Sequence, residues 1–160
     1  MSEIHQTAIL EKDVIIGDNV FIGAFCLISK GVIIGDNCKI CDHISIPENV
    51  ILEDNVYIGN NVSFVKNYKE TILKYGAKIK ENSIIECGVS IGKFSIIECG
   101  TYVTKDIPDN MYISGNPQEE KYTICKCGKD LNSRDKSCID CNSMLRYNPF
   151  YEDYIVEDIS

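Results

Sequence analysis

The chain of 160 residues has no tryptophan and only two histidines. No apolar run approaches the ~20 residues a membrane helix requires, so no membrane partner is expected. The opening residues, "MSEIHQTAIL", lack the basic start and apolar stretch of a secretory leader, and a cytoplasmic location is expected. Basic residues are few: 16 Lys and Arg face 24 Asp and Glu, for a net charge of −8. Without a basic stripe to follow a phosphate backbone, nucleic acid is not an expected partner. Imidazole chemistry is confined to His5 and His43. Cysteine is the exception to this sparseness, with nine copies, yet a reducing compartment argues against a disulfide framework.

What the sequence does have is repetition. "VIIGDN" occurs at 14–19 and again at 32–37, eighteen positions apart. Stepping in sixes from Leu10 gives Ile16, Ile22, Ile28, Ile34, Ile40, Ile46, Leu52, Ile58 and Phe64. Two residues earlier in each step stand Ala8, Val14, Val20, Cys26, Val32, Cys38, Ile44, Val50, Val56 and Val62. The register then slips by three residues and resumes at Leu73, Ile79, Ile85, Ile91, Ile97 and Val103. The companions there are Thr71, Ala77, Ser83, Val89, Ser95 and Thr101.

A helix repeats near 3.6 residues and drifts out of phase with six, whereas the two-residue period of a strand stays in phase. Each hexad therefore reads as a short strand ending in a corner. The corners, such as "GDN", "PEN" and "GNN", are rich in residues that tolerate left-handed backbone. Three sides close an eighteen-residue coil, and five to six coils stacked at about 4.8 Å make a parallel β-helix roughly 26 Å tall. An antiparallel sandwich would not hold ten hexads in one phase. The predicted class is all-β.

After "GNP" at 115–117 the hexads stop. Cys125-x-Cys127 and Cys138-x-x-Cys141 form two close pairs, a spacing that suits four thiolates around a structural Zn²⁺. Free thiols or a redox pair are the other reading. Such a segment buries little core without a metal, and a full Cys₄ shell leaves no position for substrate. Cys26 and Cys38 fall at inward positions and read as core; Cys41, Cys87 and Cys99 lie nearer the corners. The predicted partition is a β-helix over 1–117, a zinc-ribbon-like module over 118–150 and an acidic tail over 151–160.

The chain resembles the hexapeptide-repeat acyltransferases, and among them the N-acetyltransferases that act on nucleotide-linked amino sugars. The residues carrying the resemblance are "IHQTAIL" (4–10), "TILKYGAKI" (71–79), "CGVSIG" (87–92), "YVTKDIP" (102–108) and "GNP" (115–117). The resemblance implies a left-handed coil, a homotrimer, and acetyl-CoA held in the groove between neighbouring prisms. It implies contacts to acetyl-CoA near Gly88 and Gly100. Lys105 reads either as a partner for a CoA phosphate or as a solvated lysine. An amino-sugar amine would attack the thioester directly, with backbone N–H groups for the oxyanion. His43, at a corner, can accept the amine proton near neutral pH; as a corner residue it needs no function. Asn67, at the slip, reads as a substrate contact or as a turn former. His5 reads as an edge residue.

The segment after "VSFVKN" is short compared with the loop that related enzymes use to hold a nucleotide-sugar, and Gly23-Ala24 stands where they carry Trp-His. Three other readings remain: a sugar O-acetyltransferase, a non-sugar acceptor, or a non-catalytic trimeric scaffold whose ribbon binds a partner. A γ-class carbonic anhydrase shares the prism but uses three histidines on zinc, which two histidines 38 residues apart do not supply.

Overall fold

The hexads fold into three parallel faces of a triangular solenoid. The computed structural model describes residues 1–65, 68–129, 131, 137–141, 143–148 and 153–157, with 120–122, 144–148 and 153–157 as backbone only. The first face stacks Glu3–Ile4, Phe21–Ile22, Lys39–Ile40, Tyr57–Ile58, Lys78–Ile79, Ile96–Ile97 and Met111–Ser114. The second stacks Ile9–Leu10, Leu27–Ile28, Ser45–Ile46, Ser63–Val65, Ile84–Glu86 and Tyr102–Val103. The third stacks Ile15–Ile16, Ile33–Ile34, Val50–Leu52, Thr71–Leu73 and Ser90–Ile91, with Ile107 bridging to Ile91. Among the described residues there is no helix, and so none long and apolar enough to cross a membrane.

The register follows the sequence period. Ile16 pairs with Ile34 and Ile34 with Leu52, each eighteen residues on. Across the slip the interval becomes twenty-one, as in Tyr57 with Lys78 and Val50 with Thr71. The three extra residues fall between Ser63–Val65 and Thr71–Leu73, and the eighteen-residue interval resumes above them, as in Lys78 with Ile96.

The inward columns form one continuous core. Ile22, Ile40, Ile58, Ile79, Ile97 and Ile113 are all fully buried, and the small companions Thr71, Ser83, Ser95 and Thr101 fill the narrower corners. Each buried isoleucine contributes about 1.5–3 kcal/mol over leaving it exposed. Cys26 and Cys38 are buried at inward positions, as expected. Among the described residues nothing packs beneath the lowest coil, and Ile4 and Leu10 are 40% and 36% exposed.

The corners are held by side chains reaching down one coil. Asp36 accepts the backbone N–H of Asp18 at 2.7 Å, and Asp54 accepts that of Asp36 at 2.8 Å. Gly35 makes room for this: a methyl there would collide with the Asp54 carboxylate and backbone. Asn19 donates from its amide to Asn37 at 3.0 Å, which extends the ladder. The edges run in left-handed backbone, with asparagine at Asn19, Asn37 and Asn55.

At the top the ladder turns back on itself. Glu119–Thr123 pairs antiparallel with Met111–Ser114, so the cysteine segment begins as a further strand of the first face. Within the stretch read as an acidic tail, Asp153–Glu157 pairs antiparallel with Met144–Asn148.

Candidate functional site

His43 stands exposed on the edge between the first and second faces. Its backbone is left-handed (φ +58°), and its N–H donates to Ala24 O at 2.9 Å, one coil below. Phe25, the residue directly below, is also left-handed (φ +56°) and 63% exposed. The two rings stack with centroids 5.2 Å apart and planes 16° from parallel. Thr7 supports the stack, its hydroxyl accepting the N–H of Phe25 at 2.8 Å. Among the described residues no hydrogen bond reaches the ring nitrogens of His43, and no thiol pairs with it. Asp42 beside it is committed to the corner ladder, accepting the N–H of Ala24 at 2.7 Å. The imidazole is thus oriented by an aromatic face and open to a ligand's proton.

Above His43 the same edge continues through Asn61, Asn82 and Gly100, all left-handed. Gly100 lies three coils above His43, about 14 Å at normal strand spacing. A polar chain flanks this column. The Tyr57 hydroxyl lies 3.7 Å from Cys41 Sγ and donates to Glu81 Oε1 at 3.2 Å; Cys99 Sγ donates to Glu81 Oε2 at 3.4 Å. Contact with Cys41, burial and the nearby Glu81 carboxylate hold Tyr57 above its usual ionisation range. Glu98 accepts from the Tyr112 hydroxyl, from the Cys99 N–H at 2.9 Å and from Lys80 Nζ at 2.9 Å, and these hold its carboxyl down at about 2. These groups satisfy one another, whereas the His43 ring has no hydrogen bond among the described residues and stays exposed on the edge.

Gly88 and Lys105 occupy a different edge, between the second and third faces. Gly88 is left-handed (φ +97°), and its N–H donates to the Thr71 hydroxyl at 2.7 Å. Lys105 is exposed one coil higher. The structure therefore places Gly100 with His43 and sets Gly88 and Lys105 across the width of the second face. Asn67 lies outside the described residues. His5 is engaged locally, its Nδ1 lying 2.9 Å from the Thr7 hydroxyl, which agrees with an edge role.

The four cysteines converge. All four Sγ atoms lie within 4.8 Å of one another, with Cys125 to Cys141 at 3.2 Å and Cys127 to Cys138 at 3.7 Å. A tetrahedral metal with bonds of 2.3 Å requires sulfur separations of about 3.8 Å, so the donor set fits such an ion. Tight turns build each knuckle: Gly128 N–H donates to Cys125 O at 2.8 Å, and Cys138 N–H to Ser143 O at 2.8 Å. Burial pushes the Cys125 thiol up to about 12, a cost that coordination to a cation removes.

Two segments match models of hexapeptide repeats. Residues 13–43 match the bacterial transferase hexapeptide (six repeats), and residues 81–105 match the hexapeptide repeat of succinyl-transferase. Both stretches lie within the solenoid and share its six-residue period. The chain is 35% identical over 94 residues to a dTDP-3-amino-3,6-dideoxy-alpha-D-galactopyranose 3-N-acetyltransferase from Aneurinibacillus thermoaerophilus, covering 59% of this chain and 47% of that one. Its fold is similar to that of a variant of perosamine N-acetyltransferase from Caulobacter crescentus in complex with CoA and GDP-perosamine. There the TM-score is 0.71 at 23% identity, over 75% of this chain and 56% of the other. The acetyltransferase domain of PglB from Neisseria gonorrhoeae, in complex with acetyl coenzyme A, gives a TM-score of 0.71 at 20% identity, over 75% and 57%. The chain thus spans about half the length of these relatives.

The only signal in the sequence for the stack of Phe25 on His43 is the eighteen-residue interval between them. The Tyr57–Glu81 contact spans twenty-four residues across the slip, where strict period gives no hint.

Proposed function

We propose that the protein is an acetyl-CoA-dependent acetyltransferase that acetylates the amino group of a nucleotide-linked amino sugar. The observation that carries this is the exposed, stacked imidazole of His43 beneath an open column of corners leading to Gly100. Relatives that transfer acetyl groups to amino sugars support the choice of substrate class.

In this reading the acceptor amine attacks the thioester carbonyl, forming the C–N bond. The C–S bond breaks, and His43 takes the proton from the amine and passes it to the departing CoA thiolate. No covalent enzyme intermediate is involved. The coenzyme lies along the prism near Gly100 on one copy and near Gly88 and Lys105 on its neighbour. A homotrimer with its axis along the prism sets the two edges of adjacent copies at equal height. Asn67 is retained as a proposed acceptor contact. The cysteine cluster holds Zn²⁺ in a structural role, and the protein acts in the cytoplasm.

The test is calorimetric titration with acetyl-CoA, followed by thiol release in the presence of UDP-, dTDP- and GDP-linked amino sugars. Binding of acetyl-CoA and release with at least one acceptor are expected. Absence of both rejects the proposal.

A further inference from the structure

Gln118 directly follows the "GNP" segment and is only 7% exposed. Its position is explained by what is missing above Tyr102–Val103, the last strand of the second face. In a lower coil, Leu27 N–H and Ser29 N–H donate to Ile44 O and Ile46 O of the coil above, both at 2.9 Å. Tyr102 and Thr104 are the equivalent donors in the uppermost coil, where no further coil supplies carbonyls. Tyr102 N–H donates instead to Gly115 O at 3.1 Å. Thr104 N–H donates to the Gln118 side-chain oxygen at 2.6 Å, and Lys105 N–H reaches the same oxygen at 3.3 Å. The backbone N–H of Gln118 completes the ladder by donating to Tyr102 O at 3.1 Å.

The Gln118 carboxamide thus takes the place of a strand carbonyl and closes an otherwise open sheet edge. Its orientation is determined by its partners, because reversing the amide would aim an NH₂ at two N–H donors. The arrangement leaves Nε2 buried without a partner among the described residues. A leucine or methionine would fill the same space without that cost. What glutamine adds is the acceptor that fixes the turn carrying Lys105.

We propose that Gln118 is a positioning residue for the nucleotide end of the coenzyme, holding the Thr104–Lys105 turn so that the Lys105 ammonium meets a CoA phosphate. This rests on the acetyl-CoA reading of the site. Gln118 touches no ligand itself; it acts through the backbone of Lys105.

The experiment compares acetyl-CoA with acetylpantetheine, which lacks the nucleotide phosphates, using the full chain and Gln118→Met. The variant keeps side-chain length and deletes the acceptor. Affinity for acetyl-CoA should fall about three- to fivefold, the scale of one solvent-exposed ion pair. Affinity for acetylpantetheine should not change, and Lys105→Ala should add nothing in the Gln118→Met background. Amide exchange at Thr104 and Lys105 should accelerate in the variant. If Gln118→Met does not fold, Gln118→Asn, one methylene shorter, provides the same comparison. Wild-type protein that binds no acetyl-CoA would reject the acetyltransferase reading itself. Wild-type binding with both ligands weakened equally, or neither weakened, would overturn the role of Gln118 alone.

Discussion

The imidazole of His43 rests on the phenyl face of Phe25, one coil below, with ring centroids 5.2 Å apart. Both residues occupy left-handed backbone, which histidine tolerates but the bulky Phe25 rarely adopts. Asparagine fills the equivalent place at Asn61 and Asn82 without that strain. Phe25→Asn should therefore leave stability unchanged or raised while removing the support of the ring. Stacking of this kind is worth about 0.5–1.5 kcal/mol, so kcat should fall by about two- to tenfold. Steady-state kinetics and thermal melts on the same samples check this; unchanged kcat would show that the stack does not orient His43.

The corner ladder predicts a contrast between two glycines. Gly35→Ala forces a methyl against Asp54 and should destabilise by about 1–3 kcal/mol. Gly31 has open space around it and φ +71°, and Asn49 sits one coil above it at φ +63°. Gly31→Asn should stay within about 0.5 kcal/mol of wild type. Urea denaturation of the pair tests whether close approach, rather than glycine content, fixes the corners.

Glu98 predicts acid sensitivity. Its partners Tyr112, the Cys99 N–H and Lys80 hold its folded-state carboxyl at about 2, below the ordinary 4.5. A depressed carboxylate stabilises the fold above its unfolded value, and that contribution is lost as pH falls through the folded value. Stability should therefore decline between about pH 4.5 and pH 2. Glu98→Gln should flatten this slope. Denaturation curves across that range, with the same slope in both proteins, would contradict the assignment.

Much of this was legible in sequence because a strict six-residue period fixes both face and depth. The column from Ile22 to Ile97 and the edge position of His43 follow from counting alone, whereas Ile113, sixteen residues beyond Ile97, breaks the period. The separation of Gly88 from Gly100 also lay within reach, since twelve residues is two sides of the triangle. Gln118 was not legible: a side chain standing in for a carbonyl belongs to no repeat. Nor was the commitment of Asp42 to the ladder, which depends on its carboxylate reaching the Ala24 N–H one coil below.

The cysteine cluster makes a metal prediction. Protein expressed with its metal should carry about one zinc per chain. Cys138→Ser should lower that occupancy and the melting temperature together. Elemental analysis with unchanged zinc in the variant would reject the ligand set.

The central claim is that His43 accepts the amine proton during acetyl transfer. The most direct measurement is single-turnover formation of the N-acetylated sugar, followed by mass spectrometry, for wild type and His43→Asn at saturating acetyl-CoA. The account predicts a rate lower by about 10²–10⁴ in the variant with acetyl-CoA affinity retained. Equal rates in the two proteins would contradict it.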